Sequence, residues 1–360
     1  MFYEKTVKPT NMNIRLASIE DREKWDKFVL THTDASPYHL FAWKMAVEDA
    51  YKHIGYYLMA EENSQLLGVL PLVYLKPPLL SGQLVSLPFC DLGGALINCD
   101  KARHELVIES IALAKKLKAK QIEWRSNMTT SSCKIQSLPV ITQSHKVSLL
   151  LGLPRSAEQL WDNFKSKLRS QIRKAERNGL HFVWGSLNQL RDFYYVFSCN
   201  MRELGSPIHS KNWFKFILLH YGEKARLGLI YHDFKPIGGG IILTVGRKIC
   251  VSWASTLREY NNLSPNMLLY WSFLKHAADN GYTQFDFGRS TPDEGTYKFK
   301  LQWGSRPVPL YWNYIIMNGK EYTFNRTTST NRDRVERIWQ KLPLTLTNYM
   351  GPTIRKYISL

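Results

Sequence analysis

Cysteine is scarce in this sequence, and the few present are not spaced for metal binding or cross-linking. Five cysteines are spread over 360 residues, and no CxxC pair occurs. Zinc sites use closely spaced cysteines, and disulfide frameworks use an even number of them. Five dispersed cysteines argue against both and favour a reducing compartment. The ten histidines form no ligand pair, and we therefore expect no bound metal.

Long hydrophobic runs are missing as well. No apolar segment approaches the roughly 18 residues that span a bilayer. The opening stretch MFYEKTVKPTNMN lacks the apolar core of a secretory signal. We therefore expect a cytoplasmic protein, and peripheral contact with the inner membrane stays open.

Several catalytic and nucleotide-binding motifs are also absent. The sequence contains no G-x-x-x-x-G-K-[ST], H-E-x-x-H or G-x-S-x-G segment, which argues against a P-loop enzyme, a zincin protease and an α/β-hydrolase. The run GGGII at 238–242 lies inside a strand pattern and opens no helix. It is therefore not a dinucleotide-binding fingerprint.

Acidic residues are few relative to basic ones. Lysine and arginine number 48 against 30 aspartates and glutamates, which gives a net charge of +18. This excess favours phosphate-rich partners or an anionic membrane surface, although a generally basic surface also fits. The hydrophobic content of 44% is enough for a sizeable core, and the length allows two domains.

The sequence does contain an internal repeat. Two stretches, 36–126 and 206–290, each begin at Ser-Pro and close on similar short strands, QIEWRS and QFDFGRS. Both predict an aromatic helix, two strands joined by a polar turn, more strand, a long helix and the closing strand. The turns are predicted at Asn63-Ser64 and at Lys235-Pro236.

This order of elements resembles that of a GCN5-related N-acetyltransferase (GNAT) half, present here twice. We predict an α/β fold with mixed α+β sheets and two tandem GNAT-like domains. The first, on the acceptor side, covers residues 1–150, and the second, on the donor side, covers 151–315 with a basic entry helix at 156–179. A basic C-terminal extension follows at 316–360, and we expect it to pack on the second domain rather than lie in a membrane interface.

The entry helix carries like charges along one face. Arg169, Arg173 and Arg177 are four residues apart, and each such repulsion costs an isolated helix roughly 0.2–0.5 kcal/mol. A capping box of Ser156 and Gln159 predicts where the helix begins. The stacked charge makes these arginines candidates for binding a polyanion.

A polar loop precedes the second long helix of the repeat. In REYNNLSPNM the free N–H groups of a helix N-terminus would lie beside several polar side chains, and phosphate binds readily in such a place. A plain N-capping loop is the alternative. The candidate ligands of a phosphate are Arg258, Tyr260, Asn261, Asn262 and Asn266.

Charged residues also follow two strand-like runs, where loops on a rigid sheet commonly carry chemistry. Asp286 and Arg289 close the strand QFDFGRS, and we expect them to order the next loop. In LPFCDLGGAL, Asp91 precedes two glycines, which suits an acceptor pocket where Asp91 takes a proton from an amine. A turn in which Asp91 caps its own backbone is the alternative.

A lysine pair lies in the segment that follows. Lys298 and Lys300 alternate with Tyr297 and Phe299, so an extended chain would point both lysines to one side. A lysine here could stabilise an oxyanion or bind a phosphate as a point charge. A surface strand with its lysine heads in water is the alternative.

Three of these segments carry a family resemblance. KLRSQIRKAERNGL, REYNNLSPNMLLYW and DFGRSTPDEGTYKFKLQWG stand in the order and spacing of the Fem-type (FemAB) tandem-GNAT transferases, over roughly residues 15–315. The sequence most resembles the branch associated with PEP-CTERM and exopolysaccharide systems, and the tail IWQKLPLTLTNYMGP is similar to that branch. The long coiled-coil insertion of classical members is absent.

The resemblance implies the function of an acyl- or aminoacyltransferase. It would move its group from aminoacyl-tRNA, acyl-CoA or an acyl carrier protein to an amine on a cell-envelope peptide or sugar precursor, by direct attack and without a permanently bound cofactor. By similarity, Lys300 after Phe299 falls where the family has a Phe-Lys pair near the reacting ester. Lys300 is therefore the catalytic candidate, with Asp91 on the acceptor side and the helix arginines on the donor's phosphates.

The residues alone leave a second class of function open. A non-catalytic basic protein could bind nucleic acid or the anionic membrane surface within a polysaccharide or protein export system. Co-purified CoA or tRNA would favour the enzyme.

Overall fold

The computed structural model of the chain describes residues 12–126, 134–317 and 329–360. Its helices are α1 (Arg22–Thr31), α2 (Phe41–Tyr51), α3 (Asp100–Lys116), α4 (Ala157–Asn163), α5 (Ser166–Arg177), α6 (Leu190–Glu203), α7 (Lys211–Tyr221), α8 (Pro265–Asp279), α9 (Gly295–Leu301), α10 (Ser329–Lys341) and α11 (Leu344–Arg355).

The strands form one mixed sheet that runs through both halves of the chain. They are β1 (Asn13–Leu16), β2 (Ile54–Glu62), β3 (Gln65–Leu75), β4 (Gln83–Val85), β5 (Leu96–Ile97), β6 (Gln121–Ser126), β7 (Lys134–Ile135), β8 (Leu138–Gly152), β9 (His181–Gly185), β10 (Ala225–His232), β11 (Lys235–Val245), β12 (Lys248–Thr256), β13 (Gln284–Ser290) and β14 (Arg306–Ile316). Their order is β1-β2-β3-β4-β6-β14-β8-β13-β12-β11-β10-β9, and β5 pairs with β3 and β7 with β8.

The predicted repeat and fold class are confirmed. The series α2, β2, β3, β4, α3, β6, β8 recurs as α7, β10, β11, β12, α8, β13, β14. The helices α2 and α7, and likewise β3 and β11, begin 170 residues apart. The strand after the long helix pairs in parallel in both halves: β6 with β4 in the first, and β13 with β12 in the second. The hairpins β2–β3 and β10–β11 are antiparallel.

The last strand of each half pairs with the other half. The strand β8 lies between β13 and β14, and β14 lies between β6 and β8. The predicted boundaries after residues 150 and 315 therefore fall inside β8 and β14. The division into an acceptor-side and a donor-side domain stays a prediction.

The two hairpin turns correspond, but one was predicted two residues too late. Asn63 and Ser64 have φ of 49° and 68°, and Asp233 and Phe234 have φ of 46° and 64°. Two positive φ values in a two-residue loop match the right-handed twist of the strands that it joins. The predicted turn pair, Lys235-Pro236, instead begins β11.

Helices cover both faces of the sheet because the strand residues alternate between two apolar sides. Leu229 and Ile241 pack in one cluster with α1, α2, α6 and α7, whereas Ile230 and Ile242 pack with α4, α5 and α8. In the first half α3 covers this second face. At the contact between the halves, the rings of Trp43 on α2 and Trp213 on α7 meet edge to face at 5.1 Å.

The predicted entry helix is broken into α4 and α5. The cap at Ser156 is as predicted, since its side chain accepts a hydrogen bond from the Gln159 backbone N–H at 3.2 Å. Phe164 then leaves the helix with ψ of 142°, and its ring packs edge to face on Trp303 and Trp271. The helix breaks at Phe164 because the ring is buried between two tryptophans. The hydrophobic periodicity of the sequence does not show this break.

The C-terminal extension packs on the fold, as expected. The helices α10 and α11 pack against α6, and the closing residues also reach the first half, where the Phe89 backbone N–H donates to the carbonyl of Ser359 at 2.6 Å. Gly351 lies against Ile208, leaving no room for a Cβ atom. Within the described residues, no helix is both long and apolar enough to cross a membrane.

Candidate active site

A cleft opens where two parallel strands of the second half stop pairing. The register of β12 and β13 runs from Lys248 and Gln284 to Cys250 and Asp286. Beyond that point β13 shifts register against β8, and Gly288 takes a φ of 74°. Strands that separate in this way expose backbone to a ligand, and the cleft beside them holds about 360 Å³.

One additional residue produces this geometry in the second half. The closing strands QIEWRS and QFDFGRS differ by the inserted Gly288. In the first half Arg125 pairs with Glu123 inside the core at 2.7 Å. In the second half the bulge turns the corresponding Arg289 toward the cleft, as bulges commonly redirect side chains.

Lys300 lies on the wall of the cleft. It belongs to α9 and is only 8% exposed. Its ammonium group donates hydrogen bonds to the carbonyl oxygens of Gly288 at 3.0 Å and Arg289 at 2.8 Å. The lysine therefore bridges the bulge and α9.

The predicted extended chain at the lysine pair is wrong. Gly295–Leu301 is helical, and residues two apart in a helix lie on different faces. Lys298 is therefore exposed, whereas Lys300 is buried. Phe299 packs its ring on Tyr270 at 5.1 Å, and Tyr297 joins the same apolar cluster, so both aromatic residues support α9.

Burial lowers the pKa of Lys300 to about 8. The carboxylates of Asp91 and Asp286 act in the opposite direction, and Arg289 adds slightly to the lowering. A lysine with this pKa still carries its charge at neutral pH, and it does so in surroundings that screen the charge poorly. Such a cation can stabilise negative charge that develops on a reacting oxygen.

Asp91 reaches the same cleft from the first half. It lines the cleft with Lys300 and accepts a hydrogen bond from the Arg289 backbone N–H at 3.3 Å. The Arg289 Nε atom lies 3.5 Å from Asp91 Oδ1, and the guanidinium stacks over the Trp312 ring at 5.5 Å. The structure thus brings Asp91, Arg289 and Lys300 together, whereas their roles stay predictions.

Asp286 lies on the other side of β13. Its Oδ1 atom accepts hydrogen bonds from the Ser148 hydroxyl at 2.5 Å and the Gly288 backbone N–H at 2.8 Å. Burial raises its pKa. It lines a separate cavity of about 200 Å³ rather than the cleft, so its contact with substrate is not supported, although it does fix the bulge.

The predicted phosphate loop lies apart from the cleft lining. Residues 258–263 form a short 3-10 turn before α8, in which Arg258, Asn261 and Asn262 are exposed. The Tyr260 hydroxyl accepts a hydrogen bond from Lys235 at 2.9 Å, and Asn266 is half-buried at the start of α8.

The basic helix α5 adjoins that loop. The Asn178 side chain donates to the carbonyl of Leu263 at 3.3 Å. Arg173 and Arg177 are exposed and Arg169 is half-buried; the Arg173 guanidinium stacks over Trp161 at 5.3 Å. None of the ion pairs found within the described ranges involves these three arginines, so their charge is available to an anion.

Sequence reasoning missed Arg355. This residue at the end of α11 lines the cleft, with its guanidinium 5.7 Å from the centre of the Phe89 ring. Burial lowers its pKa to about 10, which leaves it charged at neutral pH. Its position follows from the packing of α11 on α6 and of the closing residues on the first half. The signal in the sequence is the basic character of the tail.

Gly288 offers a direct test of the bulge. A Cβ atom there would lie 3.3 Å from the carbonyl of Val251 at a φ of 74°, and a left-handed conformation costs an L-residue roughly 1–2 kcal/mol. We expect Gly288→Ala to lower the free energy of unfolding by about that amount and to displace Arg289. Chemical denaturation measures the loss.

The matched control is Gly281→Ala. Gly281 has nearly the same φ, 75°, but no atom within 4 Å of the added Cβ. We expect Gly281→Ala to show the conformational cost without loss of the acyl-transfer activity that the family resemblance implies. Equal activity of both variants would contradict a role for the bulge.

Comparison with known proteins shows which fold the two halves share. Residues 162–301 match the family model described as an acetyltransferase (GNAT) domain. The structure resembles a tandem GNAT protein from the clavulanic acid biosynthesis pathway, with 10% identity, a TM-score of 0.51 and coverage of 86% of this chain and 100% of that one. The chain therefore has a tandem GNAT fold, and its second half contains the segment that matches a GNAT domain.

The fold is also similar to that of FemX. The crystal structure of FemX aligns with a TM-score of 0.68 and 15% identity over 85% of this chain and 98% of that one. A lipid II:glycine glycyltransferase of Staphylococcus saprophyticus is 28% identical over 76 residues, which is 19% of this chain and 18% of that relative's length. The narrower PEP-CTERM branch stays a prediction.

Proposed function

We propose that the protein is an acyl- or aminoacyltransferase whose reaction takes place in the cleft beside Lys300. An acceptor amine attacks the carbonyl carbon of a donor ester or thioester. The carrier's oxygen or sulfur leaves, and the amine loses a proton. The observation that carries the proposal is the buried cation of Lys300 on the wall of a cleft that also holds a carboxylate from the other half. The match of residues 162–301 to a GNAT domain supports acyl transfer as the reaction class.

Lys300 is suited to oxyanion stabilisation by its hydrogen bonding. An ammonium group has three N–H donors, and two of them bind the carbonyls of Gly288 and Arg289. These bonds fix the nitrogen and leave one donor for the substrate oxygen. A donor that is fixed beforehand costs no reorganisation when charge develops on the carbonyl oxygen.

The position of Asp91 in the cleft supports a role for it as acceptor of the attacking amine's proton. Its carboxylate is held in orientation by the backbone N–H and the side chain of Arg289. We propose that Asp91 serves as the base and that Arg289 positions it. Arg355 would then bind an anionic group of a substrate in the same cleft.

The donor is proposed to be a phosphate-bearing carrier, acyl-CoA or aminoacyl-tRNA. The exposed arginines of α5 and the neighbouring turn at 258–263 form a basic surface next to the start of α8. The acceptor is proposed to be an amine of a cell-envelope precursor, in line with the glycyltransferase similarity. Thermal stability measured with CoA thioesters and with charged tRNA identifies the donor, because a ligand that binds the folded state raises it.

Arg173→Glu is expected to weaken binding of that donor. The exposed side chain has no acidic partner among the described ion pairs, and each phosphate contact adds to the salt dependence of binding. We expect a several-fold higher Kd and a log–log salt slope that is smaller by about one. Titrations at several salt concentrations measure both.

The control for this variant is Arg191→Glu. Arg191 is an exposed arginine of α6, which packs on the opposite face of the sheet. It changes the net charge equally but should leave the slope near that of the wild type. If both variants lowered the slope equally, general charge and not α5 would bind the donor.

A further inference from the structure

The loop between β3 and β4 presents two leucines to solvent at its tip. In the sequence KPPLLSG, Leu79 is 104% exposed and Leu80 is 64% exposed. Scattered apolar side chains on a surface are ordinary. Two adjacent leucines at the end of a projecting turn, with no core beneath them, instead indicate a contact outside the chain.

The base of this loop is firmly held. Its flanks pair as Leu75 with Gln83 in the sheet, and the Leu80 backbone N–H donates to the carbonyl of Pro77 at 3.3 Å. The Lys120 backbone N–H donates to the carbonyl of Gly82 at 2.9 Å. The leucines are therefore exposed by an ordered turn.

That last hydrogen bond places the loop beside the end of α3, where the sequence is KKLKAK. The Tyr74 hydroxyl also donates to the carbonyl of Leu117, at 2.8 Å. We call residues 76–82 and 115–120 together the lysine–leucine tip. Neither segment contains an acidic residue, and its five lysines are exposed: Lys76, Lys115, Lys116, Lys118 and Lys120.

These lysines are not neutralised by the rest of the fold. No ion pair found within the described ranges includes any of the five. Exposed apolar side chains beside unpaired positive charges complement an anionic lipid surface: the leucines enter the acyl boundary while the lysines meet the headgroups.

We propose that the lysine–leucine tip docks the protein on an anionic lipid bilayer. The contact is peripheral, with Leu79 and Leu80 inserted and the lysines at headgroup level. A projecting tip fits a bilayer, which needs no complementary groove. The proposal does not depend on the transfer reaction, since docking requires neither Lys300 nor a donor.

Another turn with an exposed apolar side chain differs from the tip in its charge. Phe234, at the turn between β10 and β11, is 100% exposed. It follows Asp233, and the next lysine, Lys235, is paired with Glu259 at 3.1 Å. This turn matches the tip in exposure but not in charge.

The test is co-sedimentation of the full chain with vesicles of phosphatidylcholine alone and of phosphatidylcholine with phosphatidylglycerol. We expect binding only to the anionic vesicles. The double variant L79S/L80S should bind them at least tenfold more weakly, because the inserted apolar area is removed. Phe234→Ser is the matched control and should bind like the wild type.

A variant with Lys115, Lys116 and Lys118 changed to glutamine separates charge from insertion. It should also bind about tenfold more weakly. Three results would overturn the proposal: no binding of the wild type to anionic vesicles, equal binding by L79S/L80S, or a loss in Arg173→Glu as large as in the leucine variant. Normal donor binding by L79S/L80S would show that its loss of vesicle binding is independent of the proposed transfer reaction.

Discussion

Replacing Lys300 with methionine is expected to lower the transfer rate roughly 10²–10³-fold, the range that follows loss of one preorganised oxyanion donor. Methionine keeps the length of the side chain but has no charge and no N–H group. Because Lys300 is 8% exposed, water cannot take its place easily. Single-turnover transfer with the identified donor measures the effect.

Lys298→Met is the matched control on the same helix. Lys298 is exposed and does not line the cleft, so its loss should change the rate less than about twofold, as expected for a surface position. The Lys300 variant should retain its folded structure, because its buried charge is itself unfavourable. A Lys300→Met enzyme with normal single-turnover rates would refute the proposed mechanism.

The pH dependence of the transfer rate supplies a second test of Lys300→Met. As pH rises through about 8, Lys300 loses its proton, so the wild-type rate should fall there and this limb should be missing in the variant. The folded chain also binds fewer protons than the unfolded chain between about pH 8 and the ordinary lysine pKa of 10.5. The stability of the wild type should therefore rise relative to Lys300→Met across that interval.

Replacing Glu123 with alanine is expected to lower the free energy of unfolding by about 3–5 kcal/mol, the usual cost of leaving a buried charge unpaired. Arg125 is fully buried, and its Nε and Nη2 atoms donate to Glu123 at 2.9 Å and 2.7 Å. Its Nη1 atom donates to the carbonyls of Leu87 and Cys90. Denaturant unfolding measures the loss.

The same variant should disturb the cleft, because Arg125 holds the loop that carries Asp91. The surface pair of Lys101 and Glu62, at 2.5 Å, provides the control. Glu62→Ala should cost less than about 1 kcal/mol, since exposed ion pairs contribute little. Similar losses for the two glutamate variants would show that the buried pair is not structurally important.

The sequence was sufficient to predict the doubled fold because its signals are local. Helical periodicity in Phe41–Tyr51 and in Lys211–Tyr221, and the same strand pattern 170 residues apart, need no long-range contact to be recognised. The buried partners of each element follow from that periodicity. The prediction of two GNAT halves rested on this order and was confirmed.

The details of the site could not be predicted because tertiary contacts decide them. The alternation of aromatic and lysine residues at 297–300 fits a strand by its local pattern, but packing of Phe299 on Tyr270 and Trp303 goes with a helix. Arg355 reaches the cleft because α11 packs on α6 and the residues after α11 reach the first half. Lys300 and Asp91 were both proposed from sequence, yet the packing of the halves is what brings them to one cleft.

The placement of β8 and β14 limits how this protein can be taken apart. A fragment holding only the matched segment 162–301 would leave the outer edge of β13 without its neighbour and present a row of open backbone donors and acceptors to other molecules. Such a fragment is expected to associate with copies of itself. Because each half supplies a strand to the sheet of the other, we expect the two halves to fold only together.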